Sequence, residues 1–546
     1  MTTQSASTSS TLLGTSDGHH SSDPRKATDV QCVHCHPQTT SEPKGAINGF
    51  LLLTCVVFAA ASLLFGFDDK IISPVASLQP FVSKYQGINP VSGDYVLTAR
   101  NQNLVFSVPL VGSILGGLAA SPFNFHFGRK RPVIFAYIIS IAGGLLQVLA
   151  PNLGAFVSGR FINGIAMGIA NGTAPLYLSE VVPASMRGRS VSSLNILNVA
   201  AGVLGTIVVY ATKKLGGRES YMIPLAVQCA LPALLSLCTW PLPESPLWLV
   251  GKGRMDEARR NLRKLRGCSD ERVEDELGLL RVSEAIEREL KANVSFWEIF
   301  SRKHVRRTLT SGSFYSLNQI SGVILSTTYG TVFLTEIGTK DPFSLTVIAA
   351  CCTLAGTIVA PFVLDRVGRR PTALVGMSAI FIVDAVAGGL AFNHGDPRST
   401  AAIAALSFVL NFFWASSFFS LSTLMPSEMA TPRLRHHTIA YTVACAQTTA
   451  VVTTFVIPQL TAADAADLGA KAYLIFAGCM ACIIVFVYFL MPETRGRTFV
   501  EIDEMYEAGV PAWKWRVYKS SSMSSEADHP VPRGSVIQSS DREKTI

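Results

Sequence analysis

The chain has 546 residues, of which 49% are hydrophobic and 15% charged, with a formal net charge of +8. Soluble domains carry about a quarter of their residues as charges, so a string of soluble domains is excluded in favour of a chain solvated by lipid. The basic excess lies in short loops between apolar runs, which excludes a nucleic-acid-binding face and reads as membrane topology.

Residues 1–46 are polar, rich in Ser, Thr, Pro and His, and unable to build a core. They read as a disordered cytoplasmic tail without an apolar leader, so the first spanning helix must serve as the insertion signal. Cys32 and Cys35, with His36, fit the spacing of a haem attachment site. In such a tail no haem is expected, zinc is the remaining alternative, and the chain as a whole is read as needing no cofactor. Apolar runs follow near 47–67, 104–123, 132–150, 155–179, 193–212 and 222–240, within a first half spanning 47–240. A polar segment, 241–307, precedes runs near 308–335, 343–364, 372–393, 400–425, 438–460 and 472–491, and a tail spans 492–546. A bilayer is crossed by about 20 apolar residues in a helix. The expected fold is therefore an all-α membrane protein with twelve transmembrane helices in two six-helix halves, 47–240 and 308–491.

Within the polar segment, Met255, Ala258, Leu262 and Leu265 recur at helical spacing. This predicts an amphipathic helix that either packs beneath the membrane domain or stands as a solvated spacer. Arg and Lys crowd the loops after runs two, four, eight and ten and the central segment, whereas the loop Pro151–Gly154 has no charge. The bias places both termini and the central segment in the cytoplasm, and the membrane is read as the plasma membrane.

The same charges recur in corresponding loops. Gly128-Arg129-Lys130-Arg131 follows run two, and Asp365-Arg366-Val367-Gly368-Arg369-Arg370 follows run eight. Glu180, Pro183 and Arg187 follow run four, while Glu428 and Arg433 follow run ten. Pro243–Leu249 reads PESPLWL and Pro492–Arg497 reads PETRGR, closing the two halves. This is the pattern of a duplicated transporter. With Gly159-Arg160-Phe161-Ile162-Asn163-Gly164 in run four, the chain resembles the sugar porter family of the major facilitator superfamily over about residues 47–505.

The resemblance implies roles. Glu180 would pair with Arg129 and Arg187, and Glu428 with Arg366, Arg369 and Arg433. Glu244 and Glu493 would join across the halves, making a cytoplasmic gate. A plain topological reading explains the arginines but not the four glutamates. The family carries Asp where this chain has Phe125, which leaves the first-half network one acid short. Asp68 stands where proton-coupled members carry an acid, with Arg160 as its partner. An intramembrane carboxylate can bind or release a proton as its burial and neighbours change. The alternative is an exposed acid at the end of helix one, with Asp69 and Lys70 continuing a loop.

For substrate, the resemblance points to Asn318 and Gln319, in place of a Gln-Gln pair, with Asn195 and Tyr329. Inter-helix hydrogen bonding explains such residues equally well. The family's helix-ten Gly-Pro and Trp are replaced by Phe419, Ser420 and Thr423, and an expected Asn by Ile324. Asn195, the run Arg433–Thr438 and Tyr329–Phe333 resemble the fungal maltose/α-glucoside permease branch. The implied function is proton-coupled sugar uptake, with the proton as coupling ion and the bilayer as surroundings. Movement of a non-sugar metabolite, inward or outward, and a non-transporting receptor remain open. No nucleophile–base pair, metal cluster or phosphate loop points to an enzyme.

Overall fold

The computed structural model describes residues 48–518, apart from 268, 293–294, 394–395, 432, 498 and 517. Cys32 and Cys35 lie outside the described residues. The first six spans are α1 (Gly49–Ala76), α2 (Ala99–Phe127), α3 (Lys130–Leu149), α4 (Leu153–Val181), α5 (Ala184–Thr212) and α6 (Glu219–Thr239). The second six comprise α7, in three pieces (Val305–Gln319, Val323–Thr327 and Gly330–Glu336), then α8 (Pro342–Val367) and α9 (Arg369–Leu390). They end with α10 (Pro397–Met429), α11 (Arg435–Thr461) and α12 (Ala472–Leu490).

Eleven helices among the described residues are long and apolar enough to cross a bilayer; α7 is the twelfth crossing and is not continuous. Its first break falls at Ile320–Gly322, where Gly322 has φ of +78°. That is a left-handed backbone that glycine adopts without a Cβ penalty. Broken backbone at membrane depth is tolerated where protein covers it, and Val323, Ile324 and Leu325 beyond the break are buried. The continuous run expected at 308–335 is thus three helical pieces.

Small residues bring α2 and α4 together. Gly112 and Gly116 on α2 face Gly164 and Gly168 on α4, and a Cβ on any of the four would meet backbone of the opposite helix within 2.4 Å. With lipid offering no hydrophobic drive between helices, such close backbone packing is a main source of association.

The segment between the halves carries helices Pro246–Gly251, Met255–Arg266 and Asp270–Ala292. Ala258, Leu262 and Leu265 are buried. Ala258 and Leu262 pack with Leu249, Val250, Val273 and Leu277, whereas Leu265 joins Leu51, Leu178 and Val181 of the membrane spans. Arg266 fastens the layer, donating to the Val181 carbonyl at 3.0 Å and pairing with Glu276 at 2.7 Å. Beyond α12, helix Phe499–Glu507 docks through an Arg307–Asp503 pair at 2.6 Å.

Among the described residues, polar contacts between the halves gather at the end away from the Arg–Glu loops. There both oxygens of Asp464 accept from the Ala99 amide at the start of α2, and Gln102 donates to Glu336 at 2.9 Å. Lys213 pairs with Asp341 at 2.7 Å, and this cation holds the Asp341 carboxyl below its ordinary range. Ser73 accepts from the Thr331 amide at 3.1 Å, and the rings of Phe106 and Tyr329 lie 4.3 Å apart.

Candidate functional site

Three polar centres are built on this frame: a buried ion pair inside the first half, a cavity between the halves, and a pair of Arg–Glu loops at one end.

α1 does not stop at its charged cluster; the helix continues to Ala76. Asp68 is therefore an interior residue, 1% exposed, and the alternative of an exposed acid at a helix end is set aside. Its Oδ2 accepts from Arg160 Nη1 at 2.5 Å, and its Oδ1 from Asn163 Nδ2 at 2.7 Å and from Gln228 Nε2. Arg160 is 3% exposed and also reaches the Val105 carbonyl at 3.4 Å. Asn163 is held in turn by Ser140, which donates at 2.6 Å. Helices α1, α2, α3, α4 and α6 thus converge on one carboxylate. Asn163 is legible in hindsight, since three residues after Arg160 place it on the same helical face. Gln228, a lone amide inside the α6 run, was the other available signal.

The neighbours of Asp68 along the chain face the other way. Asp69 and Lys70 line a cavity of about 110 Å³ between the halves, with Asn198 of α5, Thr353 of α8 and Asn411 and Trp414 of α10. Lys70 pairs with Asp69 at 2.8 Å and donates to the Thr327 carbonyl on α7 at 3.1 Å. It thereby crosses the cavity from one half to the other. Trp414 opens a π-helical turn, Trp414–Phe419, a local widening frequent at functional positions.

None of the four sugar-site residues expected from sequence is among those lining this cavity. Asn318 is buried and accepts from Trp414 Nε1 at 2.6 Å, so it supports a lining residue. Gln319 is half-buried beside the first α7 break, and Asn195 half-buried three residues before the lining Asn198. The Tyr329 hydroxyl donates to the Thr454 carbonyl at 2.8 Å.

At the loop end the two halves repeat one arrangement. Arg129 makes a two-pronged pair with Glu180 at 2.7 and 3.0 Å, while Arg369 pairs with Glu428 at 3.0 Å. Ser245 and Thr494 each donate at 2.5 Å to the second oxygen of those glutamates. Glu244 accepts from the amides of Arg129 and Lys130 at 2.9 and 3.2 Å, and Glu493 from those of Arg369 and Arg370 at 3.0 and 3.1 Å. Both glutamates therefore staple a loop of their own half, which corrects the expectation that they join across the halves. Burial pushes the Glu244 carboxyl up, opposed by the amide donors and by Arg129. Gly128 and Gly368, at φ of +96° and +106°, give these carboxylates room to sit on the loop. A Cβ there would lie 2.3 Å from Glu244 Oε2 or 2.8 Å from Glu493 Oε2.

The remaining loop charges are peripheral. The Arg366 carbonyl accepts from Arg495 at 2.6 Å, and Arg433 reaches Glu298 at 3.3 Å; the Arg187 side chain lies outside the described residues. Asp365 is 3.6 Å from Arg369 and its side chain is 78% exposed, where a pair contributes about 0–1 kcal/mol. Losing its counterpart at Phe125 thus costs the first half little. Phe125 instead receives Lys252 over its ring at 4.0 Å, and its carbonyl accepts from Trp248.

A two-half bundle of twelve crossings, with a polar cavity between the halves and repeated Arg–Glu staples at one end, defines a multi-pass membrane transporter of the major facilitator fold. The chain belongs to the sugar (and other) transporter family, whose description its residues 54–506 match, and it is a transporter rather than an enzyme. Curated relatives include the major facilitator-type transporter ecdD of Aspergillus rugulosus, 28% identical over 481 residues, 85% of this chain and 87% of that one. Another is a low-affinity glucose transporter of Kluyveromyces lactis, 28% identical over 489 residues, 87% and 85% of the two chains. Among solved structures, the xylose transporter XylE from E. coli in a partially occluded inward open conformation shares the fold. Its TM-score is 0.68 at 20% identity, over 83% of this chain and 100% of that one.

Proposed function

We propose that the chain is a proton-coupled secondary transporter that takes up a sugar of hexose or α-glucoside type by alternating access. The observation that carries this reading is the buried Asp68–Arg160 pair one residue from a cavity that Lys70 spans. Protonating Asp68 removes the charge that holds Arg160, freeing it toward the Val105 carbonyl and loosening α1 from α4. α1 also carries Asp69 and Lys70, so the same movement alters the cavity. Asn198, Thr353 and Asn411 supply donors and acceptors for hydroxyl groups, and the Trp414 ring supplies a flat apolar face for a sugar ring. Two relatives named for glucose, that of Kluyveromyces lactis and the probable glucose transporter rco-3 of Neurospora crassa, agree in substrate class.

The Arg–Glu staples fit a cytoplasmic gate of a particular kind. Each makes a rigid plate within its half, and closure of that face is the meeting of two plates. Glu428→Gln is then expected to insert normally but to transport about tenfold more slowly, the ratio that about 1.4 kcal/mol of lost charged hydrogen bonding gives. Wild-type rates in reconstituted vesicles would reduce Glu428 to a topological anchor. This reading sets the protein in the plasma membrane with the staples and both termini in the cytoplasm. A tag inserted at Gly267 is expected to stay inaccessible in intact cells, and labelling without permeabilisation would reverse the orientation.

A second reading rests on the apolar part of the cavity wall, where Phe65, Val199, Ala349, Ala350 and Phe419 face the space. A less hydroxylated metabolite would fit such a wall. Uptake of a panel of labelled sugars in a transporter-null host, with and without a protonophore, separates the two. Saturable, protonophore-sensitive uptake of a sugar supports the first, and none across the panel favours the second.

A further inference from the structure

α9 carries one acid within its apolar length, Asp384, and no role described above uses it. Asp384 is 0% exposed, and neither of its carboxylate oxygens has a hydrogen-bond partner. Its surroundings are Val383 and Ala387 of its own helix, Val323 of α7, and Tyr473 and Phe476 of α12, all buried in one apolar cluster. Tyr473 is the titratable group facing it, and its hydroxyl lies beside Ser326. The charges on the elements packed around α9 lie at helix ends: Asp365 and Arg366 on α8, Arg398 and Glu428 on α10, Arg306, Arg307 and Glu336 on α7, and Lys471 before α12. Lys471 is engaged over the Phe392 ring at 5.4 Å.

The contrast with Asp68 is direct. Asp68 has a guanidinium and two amides around it, which is how a buried anion is kept. Asp384 has none of these, and an unpaired anion inside a span costs several kcal/mol. In this conformation the carboxyl has no hydrogen-bond donor that would hold it as an anion. Its position says what could change that. A Cβ on Gly322, at the first break of α7, would lie 3.4 Å from Asp384 Oδ2. Ser321 and Gly322 lie outside the helical pieces, so a change in the break changes which backbone groups face the carboxyl. Four residues further along α7, Ser326 lines the cavity and accepts from Asn411 at 2.7 Å. The stretch from Gly322 to Ser326 thus runs from the acid to the cavity.

We propose that Asp384 is a second proton-binding site, loaded and unloaded as the α7 break rearranges. It does not rest on the Asp68 reading, because it needs neither the Asp68–Arg160 pair nor a sugar substrate. The experiment uses the full-length protein in liposomes without substrate, with the proton as the only ligand. Infrared difference spectra across a pH titration are expected to contain a protonated-carboxyl stretch that moves on exchange into heavy water. That band should persist in Asp68→Asn, vanish in Asp384→Asn and change frequency in Asp384→Glu. A carboxyl band insensitive to pH would make Asp384 a permanently neutral structural acid and overturn the proposal. So would a titrating spectrum that neither substitution alters. If Asp384→Asn does not fold, the frequency change in Asp384→Glu decides alone.

Discussion

Asp68→Asn is expected to abolish accumulation of substrate against its gradient while leaving downhill movement or exchange measurable. Asparagine is close in size to the protonated acid and cannot bind Arg160 as an anion, so the pairing that would be made and broken in each cycle is fixed in one state. The cavity is lined by Asp69 and Lys70 rather than by Asp68 itself, so substrate contacts survive the change. A gradient of one pH unit supplies about 1.4 kcal/mol and each 100 mV of potential about 2.3 kcal/mol. One proton per substrate would then support accumulation of roughly several hundred-fold, and the variant should fall to about equal concentrations on the two sides. The measurement is steady-state accumulation in energised cells or vesicles, with and without a protonophore. If the variant still accumulates substrate, Asp68 is not the coupling site. If wild-type uptake ignores the protonophore, the protein is a facilitator.

What was legible in the sequence was whatever has a one-dimensional signature. The spans were visible because apolar runs of bilayer length have few other uses, and the Arg–Glu loops because a glutamate beside lipid needs a partner. Asp68 and Arg160 came from resemblance to a family motif, and α1 was drawn too short. Asp68, Asp69 and Lys70 end the apolar run, yet their charges are met inside the protein by Arg160 and by each other, so the helix passes through them. The α7 breaks were hidden because Ser321-Gly322 is an ordinary pair in a membrane helix until the backbone turns left-handed. The expectation that Glu244 and Glu493 join across the halves came from the family resemblance, which carries residue identities and not their backbone partners. Their partners are backbone amides of Arg129, Lys130, Arg369 and Arg370, which no sequence pattern advertises. Trp414 escaped because the family's tryptophan was sought near Phe419, whereas a π-helical turn presents the residue that opens it.

The second large effect is on stability, and it tests the Asp68 centre apart from transport. Arg160→Ala removes the guanidinium, so Asp68 must either stay charged inside the first half with only Asn163 and Gln228 to answer it or take up a proton on folding, and either one is a cost. Removing one partner of a buried pair costs about 3–5 kcal/mol, most of it the penalty of the charge left behind. The variant should therefore unfold in detergent at clearly lower temperature or denaturant concentration than the wild type. Adding Asp68→Asn removes the stranded charge, and the double variant is expected to regain most of the loss although it has one native side chain fewer. That non-additivity separates a charge effect from a packing effect, because a cavity left by Arg160 would remain in both variants. Arg160→Lys should fall between: it keeps a cation near Oδ2 but cannot also reach the Val105 carbonyl with a second, rigidly placed donor. If the double variant is no more stable than Arg160→Ala, the two residues are neighbours without coupling. Protonation of Asp68 would then have no hold on α4, and the coupling step would have to be sought elsewhere in the bundle.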